Sequence, residues 1–240
     1  MPVSQNPPTL SVVIPVYNEE ANLGIVVEDC VAKLNESALR TAYELILVDD
    51  GSTDGSWPVA RQLAGQFDKV TAIRRPANGG MGAALRTGYE RTQGTYVSFC
   101  PSDGEVKIDE VLRLHDRIGA ADLVIGRRGG YHADPRRRRP LHRTLLSVGY
   151  QALAKLLVGI NPAHLSGLYL INGEFLRGLK LTCNTGNLVI EIYRHARRAG
   201  KTIEYAETFI SPRLSGSSKI ANLRSTIKVF GELIRLRLSA

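Results

Sequence analysis

LSVVIPVYNEE at residues 10–20 and LILVDDGSTDG at residues 45–55 decide how this chain folds. Each starts as an apolar run and stops abruptly in polar residues. Leu10, Val12, Val13, Ile14 and Val16 make the first run apolar on both faces, as a strand covered on both sides of a parallel sheet reads. Pro15 closes that run, because it has no N–H for a ladder bond. Asn18 is predicted to cap a helix that Glu19 and Glu20 open, acidic residues at its positive end. In the second stretch Leu45, Ile46, Leu47 and Val48 lead into Asp49, Asp50, Gly51, Ser52, Thr53 and Asp54. Two strands of one sheet thus carry polar groups at their carboxyl ends, where open α/β sheets bind ligands.

The alternation continues outward from these two strands. Helices are predicted over 21–34, 56–66 and 80–91, strands over 70–74, 96–100 and 121–125, and a helix holding Leu112 and Ile118 between the last two. Strands separated by helices of this length imply right-handed crossovers and a largely parallel sheet, hence the α/β class. Residues 126–143 break the pattern with seven arginines and almost no apolar residue, and read as a loop or lid. A helix over 143–158 follows, with Leu145, Val148, Ala152 and Leu156 on one face. A strand over 166–171, a helix over 188–199 ended by Gly200, and an extended stretch over 203–210 come next. The tail spaces Ile220, Leu223, Ile227, Phe230 and Ile234 as one helical stripe among Arg224, Lys228, Arg235 and Arg237.

Composition sets the outer bounds. With 240 residues, 43% hydrophobic and 22% charged, the chain is a globular protein with ample length for a core. A net charge of +8 and a pI near 9.6 point to an anionic partner: nucleotide, nucleic acid, phospholipid surface or phosphorylated substrate. Cys30, Cys100 and Cys183 have neither metal-ligand spacing nor a disulfide framework, which fits a reducing compartment. A signal-peptide pattern is not expected at the N-terminus, and no apolar run approaches the roughly 20 residues of a membrane span.

IPVYNEE, VDDGSTDG, NGGMGAALRTGY and a strand ending in an Asp-Gly turn, read in that order from about Leu10 to Arg127, resemble the family 2 glycosyltransferases of GT-A fold. IGRR, the Arg143-x-x-x-Ser147 pair, SGLYL and RLSGSSK are similar to the dolichol- or polyprenyl-phosphate mannose synthase branch. The resemblance implies a mixed, mostly parallel Rossmann-like sheet over 1–215. An amphipathic helix over 216–240 would lie at a membrane interface, at a dimer contact or on the domain itself.

Read as residues, Pro15, Tyr17, Glu19 and Asp50 supply an apolar platform and acceptors for a nucleotide base and ribose, Asp50 for the base and Glu19 for a ribose hydroxyl. Read alone, Asp49, Asp50 and Asp54 are equally turn formers. Gly79, Gly80 and Gly82 open a helix with bare amides, suited to a phosphate or to close helix–sheet packing. Asp103, in PSDGE at 101–105, stands where the family carries Asp-x-Asp-Gly-Gln. It is the implied ligand of a divalent cation, Mg²⁺ or Mn²⁺, with Glu105 a second and Pro101 replacing the first Asp. The resemblance also places Arg127, Arg143 and Ser147 at the acceptor phosphate, and Arg213 and Lys219 at donor or acceptor phosphates. The run Arg136 to Arg139 is a solvated loop or a contact to an anionic membrane. Ala163 and His164 stand where the family has an Asp, and His164 reads as structural.

The expected activity is a metal-dependent, inverting transfer of a sugar from a nucleotide diphosphate, GDP-mannose or a UDP-hexose, to a polyprenyl or dolichyl phosphate. Asp103, Arg127 and Arg143 are the expected catalytic residues. The expected setting is the cytoplasm, peripheral at the inner membrane face, with a homodimer as one form the chain can take and without nucleic acid. Two alternatives stand beside it. One is a same-fold enzyme acting on a soluble hydroxyl, with Glu191 as base. The other is a non-catalytic nucleotide-sugar-binding module.

Overall fold

The computed structural model describes residues 8–128, 141–159, 165–214 and 223–238. Seven strands form one sheet: β1 (Leu10–Val16), β2 (Tyr43–Asp49), β3 (Val70–Arg74), β4 (Tyr96–Phe99), β5 (Leu123–Arg128), β6 (Leu165–Asn172) and β7 (Ile203–Thr208). Their spatial order is β3-β2-β1-β4-β6-β5-β7. Every pairing is parallel except the two made by β6, which runs against β4 and β5. The strand predicted at 166–171 is therefore an inserted antiparallel one, and β5 recovers the parallel direction on its far side.

The helices are α1 (Glu20–Glu36), α2 (Ser56–Gln66), α3 (Met81–Tyr89), α4 (Ile108–His115), α5 (Leu141–Val158), α6 (Gly173–Arg177), α7 (Leu188–Arg198) and α8 (Leu223–Leu238). The apolar runs of β1 and β2 are fully covered: Val12, Val13, Ile14, Leu45, Leu47 and Val48 are each at 0% exposure. Pro15 sits inside β1, paired with Val48 of β2. Its ring is tolerated because the β4 ladder already stops at Val13, and the Pro15 carbonyl there accepts from Ser102 Oγ at 2.8 Å instead. Gly200, at φ +65°, ends α7 as expected, with Lys201 N–H returning to Ala196 O at 2.9 Å.

One local expectation is corrected, and the direction of two helix stripes is fixed. Asn18 does not cap α1; Glu19 occupies that position without a side-chain cap. Asn18, at φ +54°, instead accepts from Thr53 N at 2.8 Å and donates its own N–H to Ser52 Oγ at 2.9 Å. Glu20 N–H reaches Asp54 Oδ2 at 3.2 Å, and its carboxylate accepts from Gly55 N at 3.0 Å. The two polar turns after β1 and β2 are thus clasped to each other.

The face predicted for α5 is the outward one: Val148 is 59% and Leu156 79% exposed, whereas Ala154 is buried. On α8, Ile227 and Ile234 are exposed, and Leu233 and Leu236 make the buried face. Periodicity finds an apolar stripe, but a helix with apolar residues on two sides leaves its inward side open.

Helix α3 lies against β1 and β2 through small residues. A Cβ on Gly88 would sit 2.4 Å from Val13 Cγ1 and 3.2 Å from Val13 Cβ, in the fully buried layer. Gly88→Ala therefore overpacks this contact. We expect it to lower the unfolding free energy by about 2 kcal/mol, read from a denaturant titration. An unchanged midpoint would mean that α3 is free to move off the sheet.

Candidate active site

The order β2-β1-β4 places a topological switch point at β1, since α1 leads to one neighbour and the chain reaches the other only after α3. The polar segments after β1, β2 and β4 converge there. Residues 100–106, after β4, are held in place by Ser102 Oγ on Pro15 O and by Cys100 Sγ on Val106 O at 3.3 Å. Gly104 adopts φ +73°, which favours glycine, and a Cβ there would also press on the Leu214 side chain, with Cδ1 at 2.7 Å.

Asp103 and Glu105 are brought together by Arg213, from the segment after β7. Arg213 Nη2 lies 2.7 Å from Asp103 Oδ2, and its Nε donates to Glu105 Oε1 at 2.7 Å. The Glu105 N–H donates to Asp103 Oδ1 at 3.0 Å. Backbone bonds fix the two segments together: Ser211 N to Glu105 O at 2.8 Å and Leu214 N to Asp103 O at 3.3 Å. Burial raises the Asp103 pKa; the Glu105 N–H and Arg213 pull it down, and the charges of Glu105 and Glu19 push it up again. For Arg213 burial opposes the charge, but Glu105, Asp103 and Glu19 together outweigh it and raise its pKa. Glu19 is therefore within electrostatic reach of both, its carboxylate held by Asn22 Nδ2 at 2.7 Å.

Among the described residues no three His, Cys, Asp or Glu side chains form a ready-made metal cluster. Two neighbouring carboxylates nevertheless suit Mg²⁺ or Mn²⁺, since such ions are commonly held by one or two carboxylates, with substrate phosphates and water completing the shell. Asp103 and Glu105 are the residues that fit.

Asp50 is buried and already committed to protein. Its carboxylate accepts Gly79 N at 3.1 Å and Gly80 N at 2.7 Å, and Arg75 Nε lies 2.9 Å away. Burial raises its pKa, partly offset by those two N–H groups and by Arg75. The glycine amides are thus not bare: Asp50 takes two of them, and Gly82 N donates to Asn184 O at 2.9 Å. The phosphate reading of this loop gives way to the packing one. A Cβ on Gly82 would lie 2.7 Å from both Asn184 C and Cys183 O.

Residues 181–187, which cover that loop, are held by two buried carboxylates. Glu191 accepts Thr182 N at 2.9 Å, Cys183 N at 2.9 Å and Thr182 Oγ1 at 2.8 Å. Glu232 of α8 accepts Asn184 N at 2.8 Å and the Thr185 hydroxyl, with Asn187 Nδ2 at 3.4 Å. Glu191 is 3% and Glu232 2% exposed. Glu191 is therefore a structural acceptor and not a base open to substrate. Lys228 of α8 adds a bond from Nζ to Gly79 O at 3.0 Å.

Arg127, exposed on β5, lies over the Tyr205 ring at 4.2 Å rather than beside Asp103. Arg143 and Ser147 belong to the first two turns of α5. Lys219, Ala163, His164 and the run Arg136 to Arg139 lie outside the described residues. Arg75, Asn184 and Glu232 were not singled out from sequence. Arg75 had a signal: Asp49-Asp50 ends β2 and Arg74-Arg75 ends its neighbour β3, with Asp49 and Arg74 in register and 3.2 Å apart. Glu232, distant in sequence from its partners, had none.

Residues 11–177 match the protein family described as Glycosyl transferase family 2. A dolichol-phosphate mannosyltransferase of Pyrococcus furiosus is 27% identical over 216 residues, covering 88% of this chain and 59% of that protein. A dolichyl-phosphate β-glucosyltransferase of Homo sapiens is 31% identical over 160 residues, covering 62% of this chain and 49% of that protein. The chain thus spans 59% and 49% of the length of these two relatives. Among solved structures, glucosyl-3-phosphoglycerate synthase from Mycobacterium tuberculosis in complex with Mg²⁺ and UDP superposes with a TM-score of 0.67 at 22% identity, over 97% of this chain and 79% of that one. The S. aureus protein TarS in complex with UDP gives a TM-score of 0.60 at 15% identity, over 96% of this chain and 64% of that one. The fold is the GT-A fold expected from the motifs.

Glu232→Ala leaves Asn184 N and the Thr185 hydroxyl without their buried acceptor. We expect a loss of about 3 kcal/mol in unfolding free energy, measured by denaturant titration. A change within experimental error would mean that α8 is not part of the support for residues 181–187.

Proposed function

The chain belongs to glycosyl transferase family 2, and from that membership we propose that it moves a sugar from a nucleotide diphosphate, GDP-mannose or a UDP-hexose, to the phosphate of a polyprenyl or dolichyl phosphate. The observation that carries this reading is the convergence of Asp103, Glu105 and Arg213 at the carboxyl ends of the central strands. The names of the relatives supply the acceptor class.

In this reading Pro15 and Tyr17 form the platform under the base, Glu19 takes a ribose hydroxyl, and Asp50 lines the base pocket while bracing the glycine loop. Asp103 and Glu105 hold a divalent cation, which when bound neutralises charge on the leaving diphosphate. Arg213 and Lys219 bind phosphate oxygens of the donor. Arg127, Arg143 and Ser147 hold the acceptor phosphate by charge-assisted hydrogen bonds. One acceptor phosphate oxygen attacks the anomeric carbon from the face opposite the diphosphate. The C–O bond to the diphosphate breaks, its electron pair leaves with that group, and the configuration inverts. A phosphate monoester, with a second pKa of about 6, is already an anionic nucleophile and requires no general base. Positioning and charge neutralisation supply the rate.

A soluble hydroxyl acceptor would need such a base, and Glu191, the residue that sequence offered, is buried with its oxygens occupied. No described helix is long and apolar enough to cross a membrane. In our reading the chain meets its lipid acceptor at the membrane surface, on the cytoplasmic side.

Asp103→Ala is expected to keep the fold, seen as an unchanged circular dichroism spectrum, and to cut nucleotide diphosphate release by at least about 100-fold. Chelation by EDTA should do the same to the unaltered protein, with Mn²⁺ or Mg²⁺ restoring it. Full turnover in either case would overturn this site. In donor-free protein Arg213 and the cation compete for the same two carboxylates. Arg213→Ala should therefore tighten Mn²⁺ binding in calorimetry while lowering turnover; weaker Mn²⁺ binding would show that Arg213 instead organises the metal site.

A further inference from the structure

Helices α5 and α8 contact each other, and each carries apolar residues that point outward rather than into the core. On α5, Val148, Ala152 and Leu156 follow one another at helical spacing along the exposed side, Leu156 at 79%. On α8, Ile234 is 49% and Leu238 77% exposed. Between the carboxyl ends of α5, α7 and α8 lies a cavity of about 480 Å³, lined by Arg194, Arg197, Arg198 and Arg237 together with Tyr193 and Leu156. Among the described residues no carboxylate lines it.

Arg194 donates to the Leu236 carbonyl, which ties α7 to α8 and fixes the cavity's floor. Its pKa is lowered by burial and then by the charges of Arg198 and Arg237, with the buried Glu191 acting the other way. Gathering four guanidinium groups at one mouth builds a positive potential that an anion relieves. Arginine forks suit phosphate oxygens in particular. Arg197 also stacks toward the Tyr193 ring at 6.0 Å. Tyr193 in turn meets the Tyr205 hydroxyl at 3.3 Å, and Arg127 lies over that second ring. These contacts run from Arg197 through Tyr193 and Tyr205 to Arg127 on β5.

An arginine cavity with the exposed Leu156 in its wall, and exposed Ile234 and Leu238 on the helix that supplies Arg237, has the makeup of a surface that lies on lipid, with its charge at the headgroups and its apolar side chains below them. We propose that this face seats the protein on an anionic membrane, a lipid phosphate entering the arginine cavity while Leu156, Ile234 and Leu238 enter the acyl boundary. The proposal deepens the peripheral reading above and rests on it. It moves the contact away from the arginine run at 136–139 to residues of three packed helices.

The test is sedimentation of the full chain with vesicles of phosphatidylcholine alone or mixed with phosphatidylglycerol. The unaltered protein should bind the anionic vesicles and not the neutral ones. The double variant Arg197→Glu/Arg198→Glu changes two exposed residues and should keep the melting temperature. It should weaken vesicle binding by at least about tenfold. Leu156→Ser/Leu238→Ser should weaken it as well, whereas an excess of inorganic phosphate should compete only in part. Turnover of a short-chain, non-vesicular acceptor should be unchanged in both variants.

Binding of the unaltered protein with no loss in either variant overturns this face and leaves the peripheral reading standing. No vesicle binding at all overturns both. Complete displacement by inorganic phosphate, with the leucine variant binding normally, makes the cavity a site for a free anion. A dimer in gel filtration that the arginine variant dissociates makes it a contact between two copies, against the proposal.

Discussion

Backbone meets backbone where Gly80 and Gly82 lie under Asn184, and the rest of the structure depends on that contact. Gly82 N donates to Asn184 O, and neither glycine has room for a side chain: a Cβ on Gly80 would fall 2.6 Å from the Asn184 carbonyl oxygen. This joins the early strand–helix units to the late segment that covers them. Three buried carboxylates keep the contact in place. Asp50 holds the glycine loop from below, while Glu191 and Glu232 hold residues 181–187 from above. A carboxylate is expensive to remove from water unless its oxygens are filled. Here backbone N–H groups and hydroxyls fill them, so the same bonds that stabilise the charges also fix the path of the chain.

That frame presents the active segments as a set. The turns after β1 and β2 are clasped through Asn18, Glu20 and Asp54, and the turn after β4 is pinned to Pro15 through Ser102. Asp103 and Glu105 then face Arg213, which arrives from beyond β7. One guanidinium balances carboxylates that would otherwise repel one another across a partly buried site. The cation and the donor diphosphate, in the proposed reaction, take over that balance. A site whose charges are paired in the absence of substrate stays ordered, yet it exchanges partners without a new arrangement of the sheet.

Much of this was legible in the residues. The strands β1, β2 and β4 read correctly because two-sided apolar runs ending in polar turns are hard to mistake, and the placement of Asp103 and Asp50 followed from where those runs stop. Direction was left open, and partnership failed. The stripe on α5 was found, but Val148 and Leu156 face out. On α8 the inward side is set by Leu233 and Leu236, with Glu232 beside them. Asn18 looked like a helix cap because its type and position suit one; a neighbouring turn, brought close by the parallel pairing of β1 and β2, took its hydrogen bonds instead. Glu191 looked like a reactive carboxylate because nothing in sequence shows that Thr182 and Cys183 will fold back onto it. The Asn18 partner lies 35 residues away and the Glu191 partners 8 and 9, and in both cases the contact is set by how the chain folds back, which local periodicity does not encode.

The account stands most directly on one assay. Purified protein with Mn²⁺ would be given a panel of GDP- and UDP-sugars, and nucleotide diphosphate release measured with and without a short polyprenyl phosphate. Release stimulated by the lipid phosphate with one donor is the predicted result, and it names the sugar. Donor binding with no stimulation by the lipid for any donor in the panel would contradict transfer to a polyprenyl phosphate and move the acceptor elsewhere.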